Sequence, residues 1–286
     1  MGLLAALAVL SSSCSGDKDV AVDGATSTTG AVGATSTTGA VGATASTAQP
    51  APPGPPGTNP LFPLEPGFQS VREGGVNKGN RRLSHRLVFT ITDVRKDIGG
   101  VITVAALDQD FDGGELAEQS LDWFAIAANG DVSYLGSYTE TYEGGQFVNA
   151  TDAWLAGVKG GKGGILVPGS PKVGSKYTQA DVPGEGKATG EVVKVGQNKC
   201  VKFKCFDGVV VIKEDGSELK YFAPGAGGIF TEPTSGSPQE TEELINVTKL
   251  TSEGLAELSE EARRLDEHAR TVAKDVYGSS APAKRQ

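Results

Sequence analysis

Asp108, Asp110 and Asp112, followed by Gly113, spell D-x-D-x-D-G. That is the opening of a calcium loop, in which alternate oxygens face the ion and glycine permits the sharp turn. The pattern then breaks: position twelve is Gln119 where a bidentate Glu is wanted, Glu118 comes one place early, and both flanks read as strands. A plain acidic hairpin turn is the favoured reading and calcium the alternative. Glu118 and Asp122 share a strand face by alternation and could do acid–base work, though such pairs are commonplace on solvated faces. Two histidines occur: His85 alternates with Leu83, Leu87 and Phe89 as a partly buried strand residue, and His268 follows Asp266 and Glu267 on a helix. Neither lies near a nucleophile motif, G-x-S-x-G does not occur, and no cluster has zinc-ligand spacing. The expectation is a non-enzymatic chain without a cofactor, a carboxylate-dependent hydrolase being the remote alternative.

The three cysteines divide into one plus two. Cys14 ends a short apolar run, Leu3 to Leu10, through Ser11, Ser12 and Ser13. This is the layout of a signal peptide and its cleavage site, and the run is far shorter than the roughly 20 residues that span a bilayer. A Cys in that place resembles a bacterial lipobox, whose thiol receives a diacylglycerol, although Ser11 stands where an aliphatic residue is usual and the basic n-region is missing. The expectation is a lipidated Cys14 on the extracytoplasmic face of the membrane; an ordinary secretory signal with an incidental Cys is the alternative. Cys200 and Cys205 are then an even pair in an oxidising compartment. In an extended strand their Cα atoms would lie about 16 Å apart, beyond the roughly 7 Å a disulfide tolerates. A bridge therefore requires Val201 to Lys204 to turn, and a stapled loop is favoured over free thiols or a redox pair.

Residues 1–13 are expected to be the signal peptide and 14–58 a disordered tether. GATSTTGAV occurs twice from Gly24, GATAST follows, and QPAPPGPPG ends the stretch; none of it can bury enough apolar surface to order itself. Residues 59–251 read as antiparallel β. Period-two runs occur at Leu83 to Ile91, Val101 to Leu107, Leu121 to Ala127, Val132 to Tyr138, Gly190 to Val195, Val209 to Lys213, Leu219 to Ala223 and Glu243 to Leu250. Turn signals separate them, Asn129-Gly130 and Asp215-Gly216 being the strongest for hairpins. A meander of this kind predicts a sandwich or a curled half-barrel. Residues 252–278 form an amphipathic helix, with Leu255, Leu258, Ala262, Leu265, Ala269, Val272 and Val276 as its apolar stripe and Ser252 as N-cap. Residues 279–286 are expected to be a disordered tail.

Most of the formal charge of −9 lies outside residues 60–231, where acidic residues exceed basic ones by only three. A near-neutral body lacks the clustered positive charge that phosphate backbones demand, so no nucleic-acid partner is expected. The one basic cluster, Lys78, Arg81, Arg82 and Arg86, reads as a solvated strand edge. The body is expected to be a monomeric binding domain for an apolar or glycan ligand, or for an envelope protein. The alternative is an assembly component that docks through its C-terminal helix.

Four stretches carry a further likeness: NPLFPLEPG (59–67), DGGELAEQSLDWFAIAANGDVSYLG (112–136), GILVPGSPKVGSKYTQADVPGEG (164–186) and KYFAPGAGGI (220–229). With these, and with DVYG (275–278) in the helical tail, the chain resembles predicted bacterial envelope lipoproteins of unknown function. CVKFKCF (200–206) stands where such proteins tend to have a Pro- and Gly-containing turn, which fits a disulfide in its place. The resemblance implies an envelope address and no activity.

Overall fold

Asp215 and Gly216 both hold positive φ, 46° and 72°, the combination that a two-residue hairpin turn of type I′ requires. Turns of this economy let successive strands pair with their neighbours, and they dominate the computed structural model, which describes residues 57–234 and 240–286. The strands are β1 (Phe68–Lys78), β2 (Arg81–Ile98), β3 (Val101–Asp112), β4 (Glu115–Ile126), β5 (Val132–Glu143), β6 (Gln146–Leu155), β7 (Lys162–Val167), β8 (Lys176–Val182), β9 (Gly186–Cys200), β10 (Cys205–Glu214), β11 (Glu218–Ala223), β12 (Gly227–Pro233) and β13 (Glu240–Lys249). Then come the helices α1 (Ser252–Val272) and α2 (Lys274–Tyr277) and a two-residue strand, β14 (Lys284–Arg285).

β1 pairs antiparallel with β2 on one side and with β13 on the other. The order β1-β13-β12-β11-β10-β9-β8-β7-β5-β4-β3-β2 therefore closes into a twelve-stranded barrel, with β6 attached to β5 and β14 to β2. Of the two architectures expected, the barrel is realised, and it closes fully. Closure also corrects the reading of Lys78, Arg81, Arg82 and Arg86 as an edge: β1 and β2 are flanked on both sides, and Lys78 pairs with Asp112 at 2.8 Å and Arg86 with Glu73 at 2.9 Å.

Alternation sorts each strand into two faces. The inward face carries one apolar cluster that includes Leu87, Phe89, Ile91, Ala106, Phe124, Tyr134, Trp154 and Phe222, filled by edge-to-face and stacked rings. Leu61 and Phe62, ahead of β1, plug into it. They are held by Asn59, whose Nδ2 donates to the carbonyls of Gly130 (2.9 Å) and Val167 (3.3 Å) while its Oδ1 accepts from Leu61 N. A second cluster lies on the outer face of the barrel, where Leu107, Leu121, Trp123 and Tyr138 meet Ala262, Leu265 and Ala269 of α1. The helix lays Ala262, Leu265 and Ala269 of its apolar stripe on its own barrel, while Val272 of the same stripe stays exposed. Its N-cap is Thr251, one residue before the expected Ser252, because the Thr251 hydroxyl reaches Gly254 N at 3.2 Å. The helix also breaks at Ala273 instead of running to residue 278.

Residues 279–286, expected to be disordered, run along β2. Lys284 and Arg285 pair with Arg95 and Val94, Ala283 is buried, and Arg285 forks onto Asp93. Cys200 and Cys205 face each other across the β9–β10 hairpin and form a disulfide, Val201 to Lys204 making the turn. The signal-peptide residues 1–13, Cys14 and the repeats lie outside the described residues.

Candidate functional site

Asp108, Asp110 and Asp112 belong to β3 itself and not to a loop, so the calcium-loop geometry does not form. Nor are they a solvated hairpin turn: Asp108 and Asp110 are 1% and 2% exposed. The reason is parity. They continue the face of Val104 and Ala106, so alternation turns all three carboxylates into the barrel. On β4, Glu118 faces Asp110 and Ser120 faces Asp108, with Asp122 next along, opposite Ala106.

Barrel closure brings further charge to the same place. Across the strands one row reads Asp112 on β3, His85 on β2, Gly74 on β1, Glu242 on β13, Thr231 on β12 and Lys220 on β11. Gly74 sits between His85 and Glu242, and a Cβ there would stand 1.7 Å from the Thr241 carbonyl oxygen. Only glycine fits, and its lack of a side chain lets the flanking groups approach each other.

His85 is 2% exposed. Its Nδ1 lies 2.8 Å from Asp112 Oδ1, and Asp112 is neutralised on its other oxygen by Lys78. The opposite ring nitrogen, Nε2, is 3.4 Å from Glu240 Oε1 and 3.8 Å from both Glu242 Oε1 and Asp110 Oδ1. Arg72 Nε meets Glu242 Oε2 at 2.9 Å. Lys220 and Glu214 form a neighbouring pair at 3.0 Å. Four acids, Asp108, Asp110, Glu240 and Glu242, thus crowd around Arg72 and His85, with the charge of Lys220 also felt at Glu242.

The protonation of these groups follows from that crowding. Burial alone would lower the His85 pKa, but the hydrogen bond to Asp112 and the nearby carboxylates of Glu242, Glu240 and Asp110 outweigh it and lift it to about 10. Asp112 works against its own burial, drawn down to about 2 by His85 and Lys78. Burial pushes Asp108 well above the ordinary range, aided by Asp110, and neither Asp108 oxygen has a hydrogen-bond partner among the described residues. Asp122 is lifted by burial to about 6 despite accepting the Tyr134 hydroxyl at 2.7 Å. Glu240 is raised by burial and by Glu242 beside it, whereas Arg72 holds Glu242 low against its own burial.

A cavity of about 50 Å³ opens where this polar layer meets the apolar one, between Arg72, Glu240 and Glu242 on one side and Phe62, Phe68 and Phe222 on the other. That is room for a few waters or one small ion. The expected pair Glu118 and Asp122 does share the inward face, while His268 lies elsewhere, on α1, with Nδ1 2.5 Å from Glu140. Arg72, Glu240 and Glu242 were not singled out by sequence reasoning. The signal available for the glutamates was the alternation of E-T-E at 240–242, which puts both on one face.

No family model matches the chain, and no curated protein matches it. Among solved structures, that of a "putative lipoprotein" from Parabacteroides distasonis ATCC 8503 is similar over 67% of this chain and 99% of that chain, with 12% sequence identity and a TM-score of 0.33. At that score neither a site nor a function passes from one chain to the other.

Proposed function

We propose that this protein is an exported, non-catalytic binding module, anchored through Cys14 on the extracytoplasmic face of a membrane, and that the acidic end of its barrel holds a small cation. The observation that carries the reading is Asp108: a carboxyl 1% exposed, with no hydrogen-bond partner among the described residues, set near the acids Asp110, Glu240 and Glu242. Buried charge without a partner is costly, and a bound cation removes that cost. An apolar or glycan ligand finds no comparable support, because Phe62, Phe89, Phe124, Tyr134 and Trp154 fill the apolar half of the barrel. Enclosed carboxylates of the kind a hydrolase uses are present, and the space of about 50 Å³ beside Glu240 and Glu242 suits a few waters or an ion, which supports the cation reading. Anchoring rests on the apolar run Leu3 to Leu10 and on Cys14.

Two measurements test the reading. Palmitate labelling of the expressed protein is expected to vanish in Cys14→Ser, with the chain moving to the soluble fraction; retained labelling would remove the anchor. Thermal melting of the full chain against sodium, magnesium, calcium, manganese, zinc and putrescine is expected to rise with at least one of them. A melting temperature indifferent to all six would sink the binding reading.

A further inference from the structure

The geometry points to a divalent transition-metal site inside the barrel, with Nε2 of His85 and one oxygen each from Glu240 and Glu242 as ligands, and with Asp112 orienting the imidazole. This deepens the cation-binding reading above, on which it rests, by naming the class of cation.

The first support is the histidine's own wiring. Asp112 Oδ1 lies 2.8 Å from His85 Nδ1 and can accept only if that nitrogen carries its proton, so the metal-binding tautomer has its lone pair on Nε2. Carboxylate–histidine pairs of this kind position imidazole ligands in metal sites. Nε2 itself is buried and has no hydrogen-bond partner among the described residues. Its neighbours are three carboxylate oxygens at 3.4, 3.8 and 3.8 Å.

Those distances are long for hydrogen bonds and suit something else. A tetrahedral ion with bonds of about 2.1 Å holds its ligand atoms about 3.4 Å apart. His85, Glu240 and Glu242 each offer a ligand atom, all lying within 4.8 Å of one another. The second oxygen of Glu242 is engaged by Arg72, which leaves Oε1 to face the imidazole.

Charge and ligand type then choose among ions. With His85 neutral, a divalent ion returns to Glu240 and Glu242 the positive charge that the imidazolium carried and one more, where a monovalent ion returns only the first. A nitrogen ligand and a small number of carboxylates favour a zinc-like ion over calcium, which takes about six to eight oxygens at longer range.

The test uses the full chain carrying Cys14→Ser, to remove the expected lipidation site, stripped with a chelator and titrated calorimetrically with zinc and separately with calcium. The expected result is one zinc per chain, bound more tightly than calcium, with affinity at least 100-fold lower in His85→Ala and in the double variant Glu240→Gln/Glu242→Gln. Asp112→Asn is expected to weaken zinc by about 10- to 100-fold, and His268→Ala to leave it unchanged. Cobalt in place of zinc is expected to give the intense visible bands of a tetrahedral ion. Circular dichroism checks each variant; if His85→Ala does not fold, Asp112→Asn and the glutamate variants decide. Zinc uptake unaltered by these substitutions, or calcium bound as tightly as zinc, overturns the assignment. Should putrescine or sodium raise the melting temperature while zinc does nothing, the cation module stands and the metal site falls.

Discussion

Strand β2 buries charge at two points, on opposite faces of the barrel and in opposite ways. Near its end, Lys96 points outward beneath α1 and is closed off completely: Nζ meets Asp266 Oδ1 at 2.7 Å and the Ala281 carbonyl at 2.6 Å, while Asp266 Oδ2 accepts from Ala283 N. The rings of Trp123 and Tyr277 lie 5.7 and 5.4 Å from the ammonium. One cation meets one anion and every strong donor is answered. Near its start, His85 points inward to a cluster of carboxylates in which Asp108 has no hydrogen-bond partner among the described residues. A charge pair that only fastens a helix can be completed by the protein's own groups. The interior cluster is incomplete by the same standard, and that difference separates a fastening from a site.

The largest break in this contrast comes from the fastening. Asp266→Ala strands the Lys96 ammonium, and urea denaturation is expected to show a loss of about 3–5 kcal/mol. The interior should respond with the opposite sign. Asp122 has its pKa raised to about 6 in the folded state from 3.8, so the folded chain holds that proton more tightly. The associated stability is fully present below 3.8 and lost as pH rises through about 6. Asp122→Asn is therefore expected to gain up to about 3 kcal/mol at pH 7.5 and almost nothing at pH 3.5; a gain independent of pH would contradict the burial argument. Asp108→Asn is expected to stabilise the metal-free protein by on the order of 1 kcal/mol while weakening its response to zinc, both read from melting curves with and without the ion. The smallest effect is at the helix cap, where Thr251→Ala should cost about 1 kcal/mol and leave zinc binding untouched.

Much of the barrel was legible because antiparallel strands announce themselves locally, through period two and through Asn129-Gly130 and Asp215-Gly216 turns. β1 was not, since Gly74 and Gly75 interrupt its pattern where close strand approach requires glycine. Closure was not legible either: β1 meets β13 across some 170 residues, and no local period reports such a pairing. The site divides along the same line. The aspartates of β3 were found but assigned to a turn, because D-x-D-x-D-G resembles a loop motif more vividly than it resembles the continuation of the Val104 and Ala106 face. His85 was placed in its strand. Its partners Glu240 and Glu242 lie about 155 residues away in sequence and acquire meaning only when the barrel shuts.

The plug ahead of β1 has a mechanical consequence. A domain held from its N-terminal side receives any pull first at Asn59, where side-chain hydrogen bonds to Gly130 and Val167 and the seating of Leu61 and Phe62 take the load. These contacts release one at a time, whereas β1 is laddered on both flanks and must shear two sets of backbone bonds together. The segment from Asn59 to Phe62 thus behaves as a fuse, yielding under tension before the barrel is opened.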